Sequence, residues 1–499
     1  MDVGTGGTRA LVIDGQGTVV ASTAAEHANF ASLRPGWAEQ DPEDWWRACG
    51  EAVRKALAGS KVGAKDIACV GFSGQMHGAV LLDSRDEVVR PAIIWCDQRS
   101  EAQCNELEEM FGRETLIRLT CNPALTNFTL TKLLWVREIE PANWERVAHV
   151  MLPKDYVRFR LTGERAIDMA DASGTLMLDV TNRRWSKEVL SKTQIDEAML
   201  PALFESPQVC GHVTPAGAKA TGLMTGIPVV AGAGDQAAGA VGMGIARAGA
   251  VSATIGTSGV VFAATDRPAL DPRGRLHTFC HAIPGRWHVM GVTQAAGLSL
   301  RWIRDQFGVQ RGVLLNAQAA AVRDPYDMLA EEAATVPAGS EGAFWVPYLM
   351  GERTPHLDPN ARAALVGLSA SHTRAHVIRA VMEGVAYSLK DSFTIFGEMK
   401  IPVISIRLGG GGARSRLWRQ IQADVYGHEV EILAAEEGAA YGAAILAGVG
   451  AGAWNSVDEA CDGVVKVAAR VRPNSGDSAD MQRGYRKYRK IYPALREIE

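Results

Sequence analysis

The 499 residues carry a formal net charge of -4, with 47% hydrophobic and 22% charged side chains, enough apolar material for more than one ordinary core, so two or three domains are expected. Charges of both signs are scattered without a basic stripe, which excludes a nucleic-acid or anionic-membrane surface as the main function. No apolar run is long enough to cross a bilayer, and no basic stretch followed by an apolar one opens the sequence, so neither membrane insertion nor export is expected. The eight cysteines form no CxxC pair and are expected as reduced thiols in cytoplasm.

In chain order, Val3, a Gly/Thr turn, Leu11 to Ile13, the turn Asp14-Gly15-Gln16-Gly17 and Val19-Val20 predict a β-hairpin at the start. Glu43 to Leu57 has helical spacing, while Ile67 to Phe72, Val80 to Leu82 and Ile93 to Trp95 read as strands. The alternation makes this part α/β. A second series opens at Pro228-Val229-Val230 and Val251 to Ile255, followed by Gly256-Thr257-Ser258-Gly259 and Val260 to Phe262. It repeats the strand, Gly/Thr turn, strand order of the N-terminus, so two related lobes are expected. Ile404 to Leu408, the glycines Gly409 to Gly412 and the amphipathic stretch Ser415 to Tyr426 predict strand, turn and helix. The tail from about Gly450 is polar and ends in a helix-like segment, Met481 to Leu495, expected to pack back on a lobe. The expected division is 1-243, 244-450 and 451-499.

The chemistry concentrates at these turns. In Asp2-Val3-Gly4-Thr5-Gly6-Gly7-Thr8-Arg9 the glycines let backbone approach a phosphate while Thr hydroxyls and amides donate to it. Asp2 at the strand end is placed to hold Mg²⁺ through its water shell. In Ala231-Gly232-Ala233-Gly234-Asp235-Gln236 a lone carboxylate stands among small residues after a buried strand. It reads either as a helix N-cap or as the base that takes a proton from a sugar hydroxyl attacking phosphorus, and the two roles are compatible. Gly256, Thr257 and Ser258 would donate to the β- and γ-phosphates, and Gly410-Gly411-Gly412-Ala413 would leave flat space for the adenosine part. No GxxxxGK[ST] or helix-opening GxGxxG is present, and Gly71-Phe72-Ser73-Gly74-Gln75 is one glycine short of a nucleophile elbow, so Walker kinases, dehydrogenases and hydrolases fit poorly. His277, Cys280 and His281 have a zinc-like spacing but no fourth ligand nearby in sequence. Trp95, Asp97 and Arg99 follow a strand and suit either a site mouth or a solvated loop.

The order of these turns and acids resembles the actin-like ATPase superfamily, and the whole chain resembles the FGGY family of carbohydrate kinases. The stretches that carry the likeness are Trp37 to Pro42, Gly74-Gln75-Met76-His77-Gly78, Leu152 to Tyr156, Gly351 to His356, and Ala363 to Gly367 with His376 to Glu383. Within the family they are most similar to the xylulose-phosphorylating members. The resemblance implies two ribonuclease H-like α/β lobes with a central cleft, ATP and Mg²⁺ as cofactors, and a ketopentose as substrate. It implies Asp235 as catalytic base, Asp2 with Asp235 near the metal, and Gln75, Met76, His77, Asp235 and Gln236 at the sugar. Thr5, Gly6, Thr8 and Arg9 would join the two later glycine turns at the nucleotide. A homodimer is compatible with the sequence. Two departures stand out: only Met1 precedes Asp2, so strand one should be short and the numbering could begin inside the natural sequence, and Gln236 occupies a position where Asn is frequent. The second leaves ribulose, a deoxy-ketose or a pentitol as alternative substrates. A non-catalytic actin-like ATP-binding protein is the alternative outside enzymes.

Overall fold

A computed structural model of the chain describes residues 1–60, 62–307, 324–434 and 438–497. They form two compact units interleaved in sequence, the first made of Met1–Arg247, Ala264–His288 and Glu437–Val465, the second of Ala248–Ala263, Val289–Glu436 and Lys466–Glu499. Both combine a mixed sheet with helices, the expected α/β class. The division differs from the linear one expected at 243 and 450. Helix Gly438–Gly450 belongs to the first unit because its backbone lies directly on helix Asp235–Gly242: a Cβ on Gly442 would run into the Ala238 carbonyl, and one on Gly242 would stand 2.8 Å from the Gly438 oxygen. The tail 451–499 divides between the units. Helix Val457–Val464 stays with the first unit, whereas helix Ser475–Tyr488 packs on helices Arg374–Glu398 and Arg416–Tyr426 of the second.

The first unit is organised by strands β1 (Asp2–Val3), β2 (Gly7–Ile13), β3 (Val19–Glu26), β4 (Ser73–Gly74) and β5 (Ala233–Gly234), in the order β5-β4-β1-β2-β3. β1 and β2 form the expected antiparallel hairpin, with Asp2 opposite Arg9. β4 and β5 run parallel to β1, so Asp2, Ser73 and Ala233 lie side by side and the three chains leave the sheet at one edge. Helix Pro42–Gly59 covers β2 and β3. Asp41 caps it by accepting the Glu43 N–H at 3.0 Å, Pro42 takes the first turn, and Trp45, Ala48, Cys49, Ala52, Val53 and Ala56 make the buried stripe. The stretch Ile67 to Phe72 is not the continuous strand its composition suggests. Only Val70 makes a bridge, to Val229, while the Met1 amino group donates to the Gly71 carbonyl at 2.8 Å.

In the second unit β6 (Gly249–Ile255), β7 (Gly259–Thr265), β8 (Trp287–Thr293), β9 (Val403–Gly409), β10 (Val430–Leu433) and β11 (Val467–Val471) stand in the order β8-β7-β6-β9-β10-β11. β6 and β7 are an antiparallel hairpin and β9 runs parallel on the other side of β6, the arrangement of β1, β2 and β4 over again. No helix among the described residues is long and apolar enough to cross a membrane.

Candidate active site

Three chain segments leave the edge of the first unit's sheet together: Gly4-Thr5-Gly6 after β1, Gln75-Met76-His77 after β4, and Asp235 after β5. Asp235 is the first residue of helix Asp235–Gly242; Gly234 takes the cap position and makes no side-chain cap bond. The carboxylate is therefore not needed to close the helix. Burial, and then the neighbouring Asp2 charge, push it up to about 7, against weaker opposing bonds from Gln236. The Gln236 amide donates to Asp235 Oδ1 at 3.4 Å. Asp2 accepts the Ser73 hydroxyl at 2.6 Å, and burial raises its carboxyl too.

Met76 is buried, and a Cβ on Gly234 would stand 2.8 Å from its Cγ, so Met76 is wedged between the ends of β4 and β5. His77 has a left-handed backbone, φ 68°. Its Nδ1–H donates to the Gly174 carbonyl at 2.8 Å, which fixes the tautomer, and its ring meets Phe128 edge-on at 5.1 Å. The fate of the glycine-turn residues is mixed. Thr5 is clamped on all sides: Gln40 donates to its carbonyl at 2.7 Å, Trp95 donates to its hydroxyl at 2.9 Å, and that hydroxyl donates to Gln75 at 3.4 Å. Gln75 is thus a brace behind the turn, also donating to Gln40 at 3.0 Å. Thr8 is fully buried, with its hydroxyl on His27 at 2.9 Å, and points into the core instead of toward a phosphate. The reason is alternation along β2, where its neighbour Arg9 takes the other face and donates to Ser22 at 3.0 Å. Gly6 remains exposed. Asp97 and Arg99 pair at 2.7 Å, each 1% exposed, and do not line a mouth. His277 meets Asn122 at 3.2 Å and His281 the Ile245 carbonyl at 2.9 Å.

In the second unit the ends of β6 and β9 meet in the same way, Thr254 beside Gly409. The exposed tip Gly256-Thr257 and the turn Gly411-Gly412 line a cavity of about 330 Å³ together with Gly297, Arg301, Tyr326 and Trp418. Gly410 is required where it is: its φ is 73°, and a Cβ would stand 2.5 Å from the Ile255 carbonyl oxygen. Ser258, Gly410 and Ala413 stand behind the lining rather than in it. Backbone amides, an aromatic ring and a guanidinium at the C-terminal ends of parallel strands are what a phosphorylated, ring-bearing ligand needs.

Residues 1–242 match the N-terminal domain of the FGGY family of carbohydrate kinases, and residues 251–451 match its C-terminal domain. The chain belongs to the FGGY family of carbohydrate kinases. The kinase is 37% identical to a xylulose kinase of Bacillus subtilis over 498 residues, covering 100% of this chain and 97% of that protein. It is 42% identical over 451 residues to a xylulose kinase of Klebsiella pneumoniae, covering 90% and 89%. Among solved structures it resembles "a xyloylose kinase from Brucella ovis" with a TM-score of 0.90 at 34% identity, covering 100% and 99%. As a carbohydrate kinase it uses ATP.

One charged cluster beside these strand ends was not found from sequence. Behind β4 and β5 the Lys154 ammonium lies 2.6 Å from Asp168 and 3.0 Å from Asp171, and it also pairs with Asp155 at 2.5 Å; all four side chains are fully buried. Arg158 joins Asp155 at 2.9 Å and donates to the carbonyls of Ala166 and Ala231. Three carboxyls face two cations, and burial pushes Asp168 and Asp171 up. The three acids lie close enough together to hold a metal ion, but Lys154 occupies their centre. The cluster touches both strand ends: a Cβ on Gly74 would stand 2.9 Å from Lys154 Cβ, and one on Gly234 would stand 3.2 Å from Asp171 Oδ1. The Leu152 to Tyr156 stretch signals it, since Lys154, Asp155 and Arg158 share one helix, Pro153–Thr162, but nothing in the sequence links them to Asp168 and Asp171.

Proposed function

We propose that the kinase transfers the γ-phosphoryl group of ATP to the terminal hydroxyl of D-xylulose, giving D-xylulose 5-phosphate and ADP. The observation that carries this reading is Asp235, a carboxylate with no capping duty, at the strand end next to Met76-His77, in a chain alike over its length to xylulose kinases. In the step, the hydroxyl proton passes to the Asp235 carboxylate as the hydroxyl oxygen bonds to phosphorus and the bond to the ADP oxygen breaks. A carboxyl pushed up to about 7 suits this duty, because it is half ionised near neutrality and basic enough to accept the proton. His77, its tautomer set by Gly174, reads a sugar hydroxyl through Nε2. Met76 shapes the pocket floor and Gln236 reaches the sugar beside Asp235. The second unit's cavity takes the nucleotide, with Gly256 and Thr257 at the phosphates and Gly411 and Gly412 against the adenosine part.

Mg²⁺ fits the first unit's acids: Asp2 and Asp235 are hard oxygen donors whose mutual repulsion a divalent cation would relieve. Asp2 would hold it through water, and the ion would supply charge neutralisation on the transferring phosphates. A reducing cytoplasm suits the eight cysteines, all of them free thiols.

The sugar-reading role of His77 is tested by His77→Asn, which removes the imidazole yet tolerates the left-handed backbone. Losing one buried hydrogen bond, about 1–3 kcal/mol, should raise the KM for sugar by roughly 5- to 100-fold with the KM for ATP unchanged. A variant whose ATP affinity falls while sugar kinetics hold shows that His77 does not read the sugar.

A further inference from the structure

Glu352 is 2% exposed and has no part in the step above. It sits in the Gly351 to His356 stretch, on the loop after strand Phe344–Val346. Its Oε1 accepts the Gln294 N–H at 3.0 Å and the Arg353 N–H at 2.7 Å, while its Oε2 accepts the Ser388 hydroxyl at 3.4 Å. Ser388 Oγ in turn meets Thr293 Oγ1 at 2.9 Å. The same loop is tied to β8 twice more, since Thr354 donates its N–H to the Val292 carbonyl and its hydroxyl oxygen accepts the Val292 N–H, both at 3.0 Å. Burial pushes the Glu352 carboxyl up to about 8, so its bonds to backbone are made at an appreciable desolvation cost.

What those bonds hold is the turn that leaves β8. Gln294 begins it, and helix Gly297–Phe307 follows at once. The first two amides of that helix are committed to the β6–β7 hairpin: Gly297 N–H donates to the Gly256 carbonyl at 2.8 Å and Leu298 N–H to the Thr257 carbonyl at 3.1 Å. The approach is close enough that a Cβ on Gly297 would run into the Gly256 oxygen. Gly259 also rests on Ala296, where an added Cβ would stand 3.0 Å from the Ala296 Cβ. The hairpin tip is exposed, and a short exposed loop binds phosphate well only if its amides are already pointed.

We propose that Glu352 is a positioning residue for the nucleotide: by fixing Gln294 it presses the 294–298 turn against Gly256, whose own N–H donates to the Ser258 carbonyl at 2.9 Å, and presents the Thr257 amide and hydroxyl in one arrangement. This rests on the reading of the hairpin as the phosphate cradle. The test compares Glu352→Ala and Glu352→Gln by ADP calorimetry, by separate KM values for ATP and for sugar, and by melting temperature. Gln retains an oxygen for both backbone amides; Ala retains nothing. Glu352→Ala is expected to weaken ADP binding and raise the KM for ATP by on the order of tenfold, leaving the KM for sugar unchanged, and Glu352→Gln should recover most of that loss. Unchanged ADP affinity in the Ala variant, equal losses in both variants, or parallel increases in both KM values overturn the proposal. If Glu352→Ala does not fold, Ser388→Ala carries the test, with roughly threefold weaker ADP binding expected and no change contradicting it. Thr257→Val measured alongside separates the two levels. Unchanged ADP binding together with an unchanged KM for ATP there overturns the hairpin reading itself, whereas loss there without loss in the Glu352 variants overturns the positioning role alone.

Discussion

Replacing Asp235 with asparagine is expected to lower kcat by about 10²–10⁴-fold, the usual worth of a general base, while sugar binding and melting temperature stay close to those of the parent. The side chain keeps its shape but loses its ability to accept the hydroxyl proton. Stability should not suffer, because the capping position belongs to Gly234 and the substitution removes a buried charge facing Asp2. A small rise in melting temperature would fit the trade between stability and function at an active site. The pH dependence follows with a definite sign. With its carboxyl pushed up to about 7 without a cation, Asp235 is protonated and inactive as a base at acid pH, so kcat/KM should climb as pH rises toward neutrality and then level, with the rise moved to lower pH when Mg²⁺ offsets the Asp2 charge. Asp235→Asn should lose that rise. Activity near that of the parent would refute the base role, and a collapsed melting temperature would mean that the carboxylate serves the fold.

The second large effect is expected at Lys154. Lys154→Met matches the length of the side chain but leaves Asp155, Asp168 and Asp171 buried with only Arg158 to face them. Breaking a buried pair from one side typically costs about 3–5 kcal/mol. At about 2–4 °C per kcal/mol for a unit of this size, the melting temperature should drop by on the order of 10 °C. Catalysis should fall with it, since the cluster lies directly against Gly74 and Gly234, the residues from which Met76-His77 and Asp235 project. A melting temperature within about 2 °C of the parent would mean that the acids relax cheaply by taking up protons.

The parts of the site that sequence reveals are those whose meaning is local. A glycine turn between two apolar alternations marks a hairpin wherever it sits, so both hairpins and the β9 turn are visible in the residues themselves. Asp235 is visible for a similar reason, as a carboxylate with small neighbours and nothing to pack. What escapes is set by register and by distant partners. Thr8 looks like any other hydroxyl of the Gly/Thr turn, and only the pairing of Val3 with Thr8 in the hairpin decides that it faces His27. Lys154 and Asp155 read as an ordinary charged pair until helix Pro153–Thr162 carries them under the sheet edge to Asp168 and Asp171. Helix Gly438–Gly450 joins the first unit through bare glycine backbone against Ala238 and Gly242, a contact with no side-chain period to betray it. Glu352 belongs with this group, because its partners Gln294 and Ser388 lie 58 and 36 residues away along the chain.

Action of the kinase on a ketopentose is tested most directly by the ranking of kcat/KM, by coupled ADP detection, across D-xylulose, L-ribulose, D-ribulose, xylitol and glycerol. D-xylulose is expected to lead, with the pentitol and glycerol well behind, because they lack the ketose carbonyl. Equal or better turnover of glycerol or of ribulose would contradict the assignment of D-xylulose as the substrate.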